Sequence, residues 1–171
     1  MGSGISGNYS GTSGSSQPYS ESYHVVRDML NHDKADKEIY DPQMGYFRNP
    51  TVTLLQDSID GNRFVINGQS VDGNFTYVLD MDGNIVFGKR SNPNNPQKRA
   101  PHPTLIGGRN PQVQCAGIIS FRKGKITAID NQSGHFRPNQ ESMRKVYSVL
   151  LELYHTNPKL FSKNMKWGHE A

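Results

Sequence analysis

The chain has one cysteine, one tryptophan and only 33% hydrophobic residues. A single cysteine excludes an internal disulfide and a zinc site built from several cysteines. No apolar run approaches the roughly 20 residues that a membrane-spanning helix needs, so we expect no membrane partner. The first residues lack a basic stretch followed by an apolar core, and we therefore expect no secretory signal peptide. Cys115 lies in an alternating apolar stretch and is interpreted as a buried structural thiol rather than a nucleophile.

Composition divides the chain into two parts. Residues 1–21 consist mainly of glycine, serine and other small or polar residues. Such a segment buries too little apolar surface to offset its ordering entropy, so it predicts a flexible linker. We expect residues 22–171 to form one α+β domain.

Charge is segregated along the domain. Residues 21–85 contain 5 basic and 11 acidic side chains, whereas residues 86–145 contain 11 basic and 2 acidic ones. The second segment therefore has a net charge of +9 within a chain whose total is +4. An excess of this size favours a phosphate-bearing partner such as RNA, although a solvated basic face explains it too.

Hydrophobic periodicity predicts helices at both ends of the domain and strands between them. A helix is expected to begin at Ser22, and a second one to follow Asn49-Pro50 with Val52, Leu55 and Ile59 on one face. The third helix is predicted to begin at Asn139, with a buried stripe made by Met143, Val146, Tyr147, Leu150, Leu151 and Tyr154.

Two hairpins are predicted between the helices, at Asp82-Gly83 and at Lys123-Gly124. A shorter strand is expected at Arg63–Ile66, and residues 91–101 are predicted to form an exposed basic loop. Gly117, in the middle of a strand, indicates either a bulge or a close backbone approach. The expected fold is an antiparallel sheet of four to five strands, covered by the N- and C-terminal helices.

A turn with reactive side chains follows the second hairpin. Its sequence is Asn131-Gln132-Ser133-Gly134-His135-Phe136-Arg137-Pro138. Histidine titrates near neutral pH, so His135 is a candidate proton donor or acceptor, and His102 is a second one in the same basic region. The alternative is that the turn is structural and that its histidine only satisfies a hydrogen bond. Two histidines with neighbouring cations suit RNA cleavage without metal, in which the 2′-hydroxyl attacks its own phosphate.

The remaining candidate site residues would bind the anion. Lys89, Arg90 and Arg137 are the candidate cations, and Thr104 and Ser133 could bind phosphate or a ribose hydroxyl. No pattern of histidines or clustered carboxylates predicts a metal site, and no cofactor is expected.

Part of the chain resembles a known family. The segments are Tyr77-Val78-Leu79, Val86-Phe87-Gly88-Lys89, His102 to Gly108, Cys115-Ala116-Gly117, Gly124-Lys125-Ile126 and Ser133 to Pro138. They resemble a domain shared by the C-terminal regions of bacterial polymorphic toxins and plant IQ-motif calmodulin-binding proteins. The family usually has Ser-Ser after the first histidine and tyrosine in the last motif, where this chain has Pro103-Thr104 and Phe136. No IQ motif is apparent, so calmodulin binding does not carry over.

The resemblance implies a toxin or effector used in interbacterial competition. It would be exported within a larger protein, act in the cytoplasm of a target cell and have an acidic immunity protein as partner. Two other functions stay open beside RNA cleavage. One is an ADP-ribosyltransferase that uses NAD. The chain lacks a recognisable catalytic glutamate for it, because Glu141 lies at a predicted helix start, where capping explains it. The other is a binding domain without catalytic activity.

Overall fold

A computed structural model describes residues 23–36, 39–47, 53–89, 91–92, 95–99, 102–108, 111–133 and 136–167. The predicted linker at residues 1–21 lies outside these ranges. The described helices are α1 (Arg27–Lys34), α2 (Pro103–Ile106) and α3 (Met143–Thr156). Short 3-10 turns occupy Leu55–Ser58, Gln140–Ser142 and Pro158–Leu160.

Strands dominate the described part of the chain. In order they are β1 (Tyr23–His24), β2 (Tyr40–Asp41), β3 (Tyr46–Phe47), β4 (Thr53–Leu54), β5 (Ile59–Asp60), β6 (Arg63–Ile66), β7 (Gln69–Ser70), β8 (Gly73–Leu79), β9 (Ile85–Gly88), β10 (Ser91–Asn92), β11 (Asn95–Arg99), β12 (Gln112–Val113), β13 (Cys115–Arg122), β14 (Lys125–Ile129) and β15 (Phe161–Trp167).

The main sheet has six strands in the order β15-β14-β13-β8-β9-β4. The hairpins β8–β9 and β13–β14 confirm the turns predicted at Asp82-Gly83 and Lys123-Gly124. The predicted α+β fold is nevertheless wrong. The chain is mainly β, with further sheets β5-β6-β7, β1-β12, β2-β3 and β10-β11. The six-stranded sheet is also mixed, because β15 pairs in parallel with β14.

The sheet is covered on both faces. On one face, Tyr77, Phe87 and Cys115 pack against α3. On the other, Val78, Val86 and Ala116 pack against α2 and against residues near β1. Alternate residues of the same strands therefore enter two separate apolar clusters, so β8 is buried from Phe75 to Leu79.

The terminal helices do not cover the sheet as predicted. Only α3 does so, and its Met143, Val146 and Leu150 are buried. Leu151 and Tyr154, which the sequence pattern places in the buried stripe, are 46% and 43% exposed. The N-terminal helix α1 contacts β2, and the apolar contact from this part of the chain comes from Tyr23 and Val25.

The second predicted helix is also wrong. The chain forms β4, a 3-10 turn and β5 between Thr53 and Asp60. Thr53 and Leu54 pair with Phe87 and Val86 at the edge of the main sheet. Sheet pairing here outweighs the helical spacing of the apolar side chains. The predicted loop at residues 91–101 likewise contains the paired strands β10 and β11.

Candidate functional site

The candidate site begins where β14 leaves the main sheet. Its last strand residue, Ile129, pairs with Ile119. Asp130 then bonds to Ile118 twice: its backbone N–H donates to the Ile118 carbonyl at 3.0 Å, and its Oδ1 accepts from the Ile118 N–H at 2.9 Å. The Asp130 carboxylate thus takes the place of a strand partner, and the chain turns out of the sheet into residues 131–138.

Gly117 allows that turn to form. A Cβ at this position would overlap the Asp130 carbonyl, so the chain after β14 passes directly against the strand backbone. The Tyr77 hydroxyl donates to the same carbonyl at 2.7 Å. Pairing between β13 and β8 runs without a shift through Gly117, so the close approach, not a bulge, is the correct interpretation.

His102 lies directly before α2 and contacts both sides of this junction. Its Nε2 is 2.7 Å from the Gly117 carbonyl oxygen, and its Nδ1 is 3.1 Å from the Ser133 hydroxyl. Because a carbonyl only accepts, Nε2 is assigned the proton and Nδ1 accepts from Ser133 when the ring is neutral. The side chain is 6% exposed. The His102 imidazole is therefore buried and not open to solvent.

Ser133 holds the loop after it. Its hydroxyl accepts from the Phe136 N–H at 3.3 Å, and its carbonyl accepts from the Arg137 N–H at 2.9 Å. Phe136 is 2% exposed and belongs to the apolar cluster that contains Val78 and Val86. Phe136 is thus a core residue and not an exposed ring on which a base could stack. Gly134 and His135 lie outside the described residues, but the residues on both sides of them are anchored.

Arg137 is exposed, but it has a partner that the sequence does not indicate. Its Nη2 lies 3.4 Å from Asp28 Oδ2, and both side chains are more than half exposed. The two residues are 109 positions apart, so no local pattern could reveal the pair. Arg137 also has φ = 49°, a left-handed conformation that is uncommon outside glycine and asparagine.

The structure shows less about the other predicted anion-binding residues. Lys89 is exposed immediately after β9, and no hydrogen bond or ion pair among the described residues joins it to the loop. Thr104 lies in α2, but its side chain is outside the description. Arg90 is outside it entirely. The structure therefore brings His102 and Ser133 together and leaves the contribution of the predicted cations a prediction.

A buried polar cluster lies on the α3 side of the same junction. The Ser142 hydroxyl donates to the Asn139 carbonyl at 2.6 Å and lies 3.1 Å from Cys115 Sγ, and the Tyr77 hydroxyl lies 3.6 Å from both Cys115 Sγ and Met143 Sδ. Burial raises the pKa of Cys115, although its hydrogen bonds with Ser142 and Tyr77 oppose that shift. Burial, followed by the neighbouring Cys115, raises the pKa of Tyr77 well above 10. Both groups stay protonated at neutral pH, and Cys115 is confirmed as a buried thiol.

Across the described ranges, no group of three or more histidine, cysteine or acidic residues is arranged to hold a metal ion. No described helix is long and apolar enough to cross a membrane. Comparison of the chain with protein-family models, with curated proteins and with solved structures finds no match to any of them.

Proposed function

We propose that this chain is a toxin or effector module of the polymorphic-toxin type, and that it cleaves RNA without a metal ion. The observation that carries the proposal is the anchoring of the loop at residues 131–138. Contacts from Asp130, Ser133 and Phe136 fix the residues on both sides of His135. A catalytic group requires a fixed position, and the described residues on both sides of His135 are held in the basic segment of the chain.

His135 is the acid–base residue of this proposal. It would remove the proton from the ribose 2′-hydroxyl as that oxygen bonds to the adjacent phosphorus. The bond from phosphorus to the 5′-oxygen breaks, that oxygen takes up a proton, and the products carry a 2′,3′-cyclic phosphate and a 5′-hydroxyl. Arg137, Lys89 and Arg90 would stabilise the charge that develops on the phosphate, and Ser133 and Thr104 would bind its oxygens or a ribose hydroxyl.

His102 fits a positioning role better than a second acid–base role. Its two ring nitrogens already bond to Gly117 and Ser133, and little of its side chain is exposed. A mechanism with two catalytic histidines requires the imidazole to leave these contacts. As a positioning residue, His102 holds Ser133 and thereby the loop that carries His135.

The proposal is tested by incubating the purified chain with total RNA in the presence of EDTA. Fragments ending in 2′,3′-cyclic phosphate are expected, and His135→Ala should abolish them without lowering the free energy of unfolding. Expression in a bacterial cell should be toxic, and His135→Ala should relieve the toxicity. Intact RNA together with consumption of NAD would support the ADP-ribosyltransferase alternative. Its candidate glutamate, Glu141, lies exposed in the 3-10 turn before α3.

His102→Gln separates the two roles of His102. Glutamine can donate a hydrogen bond toward Gly117, but it cannot exchange protons near neutral pH. If the folded H102Q protein keeps most of the cleavage activity, His102 positions the loop. If it folds and is inactive, both histidines take part in the chemistry.

The burial of His102 and Ser133 also favours a second candidate, a binding domain without catalytic activity. In that case the turn has only a structural role, and its contacts stabilise the packing of the core. The expected results are intact RNA, unchanged NAD and a lower free energy of unfolding for His102→Ala.

A further inference from the structure

The edge of the main sheet carries a row of cations. Strand β15 is the edge strand, and its Lys163 and Lys166 are exposed. Lys159 is exposed in the 3-10 turn that precedes the strand, and no aspartate or glutamate occurs between positions 159 and 167. Two more exposed cations, Arg122 and Lys123, come from the β13–β14 turn. We call Arg122, Lys123, Lys159, Lys163 and Lys166 the basic edge.

The pieces of the basic edge are fixed relative to one another. Lys125 Nζ donates to the backbone carbonyls of Asn62 and Lys159, at 3.0 and 2.5 Å. The second contact links the β13–β14 turn to the chain that leads into β15. Because both acceptors are neutral carbonyls, the positive charge of Lys125 is not cancelled there. The nearby carboxylate of Asp72 accepts from the backbone N–H of Lys123 at 3.1 Å. Within the described part of the chain, none of the five side chains of the basic edge forms an ion pair.

The row leads to the candidate site. Phe161, at the start of β15, pairs with Ile126, and Trp167, at its end, pairs with Ile129. The residue after Ile129 is Asp130, where the loop of the candidate site begins. The register shifts between Ile126 and Ala128, so β15 passes only four residues of β14, a span of about 10 Å at 3.3 Å per residue. The cations therefore extend from the far end of the sheet to the loop that contains His135.

We propose that the basic edge binds the sugar–phosphate backbone of single-stranded nucleic acid and directs it toward the loop at residues 131–138. The inference rests on the proposed function, since it names the surface that would hold the substrate of that site. A series of exposed cations along one sheet edge matches a chain that carries one phosphate per nucleotide, and positively charged surfaces of this kind bind single strands with strong salt dependence.

The test measures binding of a fluorescein-labelled 12-nucleotide oligodeoxythymidylate to the full chain by fluorescence anisotropy, between 50 and 200 mM salt. This probe has the phosphate backbone but no 2′-hydroxyl, so binding is measured without cleavage.

The variants are K163Q/K166Q and R122Q/K123Q. The matched control is R27Q/K34Q, which removes the same charge from α1. Each basic-edge variant should reduce the slope of log affinity against log salt by about 0.7 for every phosphate that it no longer neutralises. The control should bind like the unmodified chain.

Three outcomes would overturn the proposal. The first is equal binding by the basic-edge variants and the control. The second is displacement of the probe by a polyglutamate peptide as effectively as by unlabelled oligodeoxythymidylate, which would identify a surface for an acidic protein. The third is self-association of K163Q/K166Q with unchanged affinity for the probe, because lysines on an edge strand also block pairing with another strand. Failure of RNA cleavage with retained binding would contradict only the proposed function.

Discussion

Individual side chains hold the described residues that follow β14. His102 bonds to the Gly117 carbonyl and to the Ser133 hydroxyl while almost completely buried. We expect His102→Ala to lower the free energy of unfolding by about 1–3 kcal/mol, because it removes the hydrogen bonds that the ring makes with the Gly117 carbonyl and the Ser133 hydroxyl. Urea denaturation measures the difference. His155→Ala, at an exposed position on α3, should change stability by less than about 0.5 kcal/mol. Equal stability of the two variants would contradict the contacts assigned to His102.

Tyr77 and Cys115 give the stability of the protein an alkaline pH dependence. Burial raises both pKa values, so the unfolded chain loses these protons at a lower pH than the folded protein does. Above about pH 9 for Cys115 and about pH 10 for Tyr77, the unfolded state therefore binds fewer protons, and stability falls as pH rises. The decline continues until each folded pKa is reached. Denaturation curves from pH 7 to 11 should show a shallower decline for Cys115→Ala and for Tyr77→Phe. Curves parallel to that of the unmodified chain would contradict this account.

At the level of elements, the contact between β13 and the chain after β14 leaves no room for a side chain at Gly117. Gly117→Ala would place a methyl group on the Asp130 carbonyl, so backbone must move. Overpacking of this kind typically costs about 1–3 kcal/mol. Gly88→Ala is the matched control in the same sheet, because its new Cβ would meet only the flexible Leu105 side chain at 3.0 Å. We expect a clearly larger fall in thermal midpoint for Gly117→Ala, and a reversed order would contradict the close approach.

How far the sequence predicts the elements depends on how local their determinants are. The turns at Asp82-Gly83 and Lys123-Gly124 are set by neighbouring residues, and both are confirmed. Asn139 caps a 3-10 turn as a local signal would, but α3 itself begins only at Met143. The helix predicted across residues 52–59 is wrong, because pairing with β9 decides that segment. The sequence pattern does not predict strand β15, since its exposed edge carries lysines and has little apolar alternation.

The candidate site shows the same division. The sequence marks Gly117 as either a bulge or a place of close approach, and it singles out both His102 and Ser133. It does not indicate that these two side chains bond to each other across 31 positions, or that Arg137 meets Asp28. Such pairs depend on where α2 and α1 lie in the folded chain, and this placement is a property of the tertiary structure.

At the level of the whole molecule, the single thiol reports on the core. Cys115 lies in the central strand β13 beneath α3 and is fully buried. A thiol reagent should therefore react with it only after a large opening of the structure, at a rate that falls as global stability rises. Labelling with a disulfide reagent should be slow in native buffer and rapid, with one thiol per chain, in denaturant. Fast labelling under native conditions would show that α3 opens independently of the sheet.

The parallel pairing of β15 with β14 also has a consequence for synthesis on the ribosome. The two edges of the main sheet come from Thr53–Leu54 and Phe161–Trp167, which are more than 100 positions apart. During synthesis one edge of strand β14 therefore stays unpaired until more than 30 further residues have been added and β15 has been made. During that interval the incomplete sheet offers an open edge to any extended chain, which makes the late nascent chain the stage most exposed to aggregation.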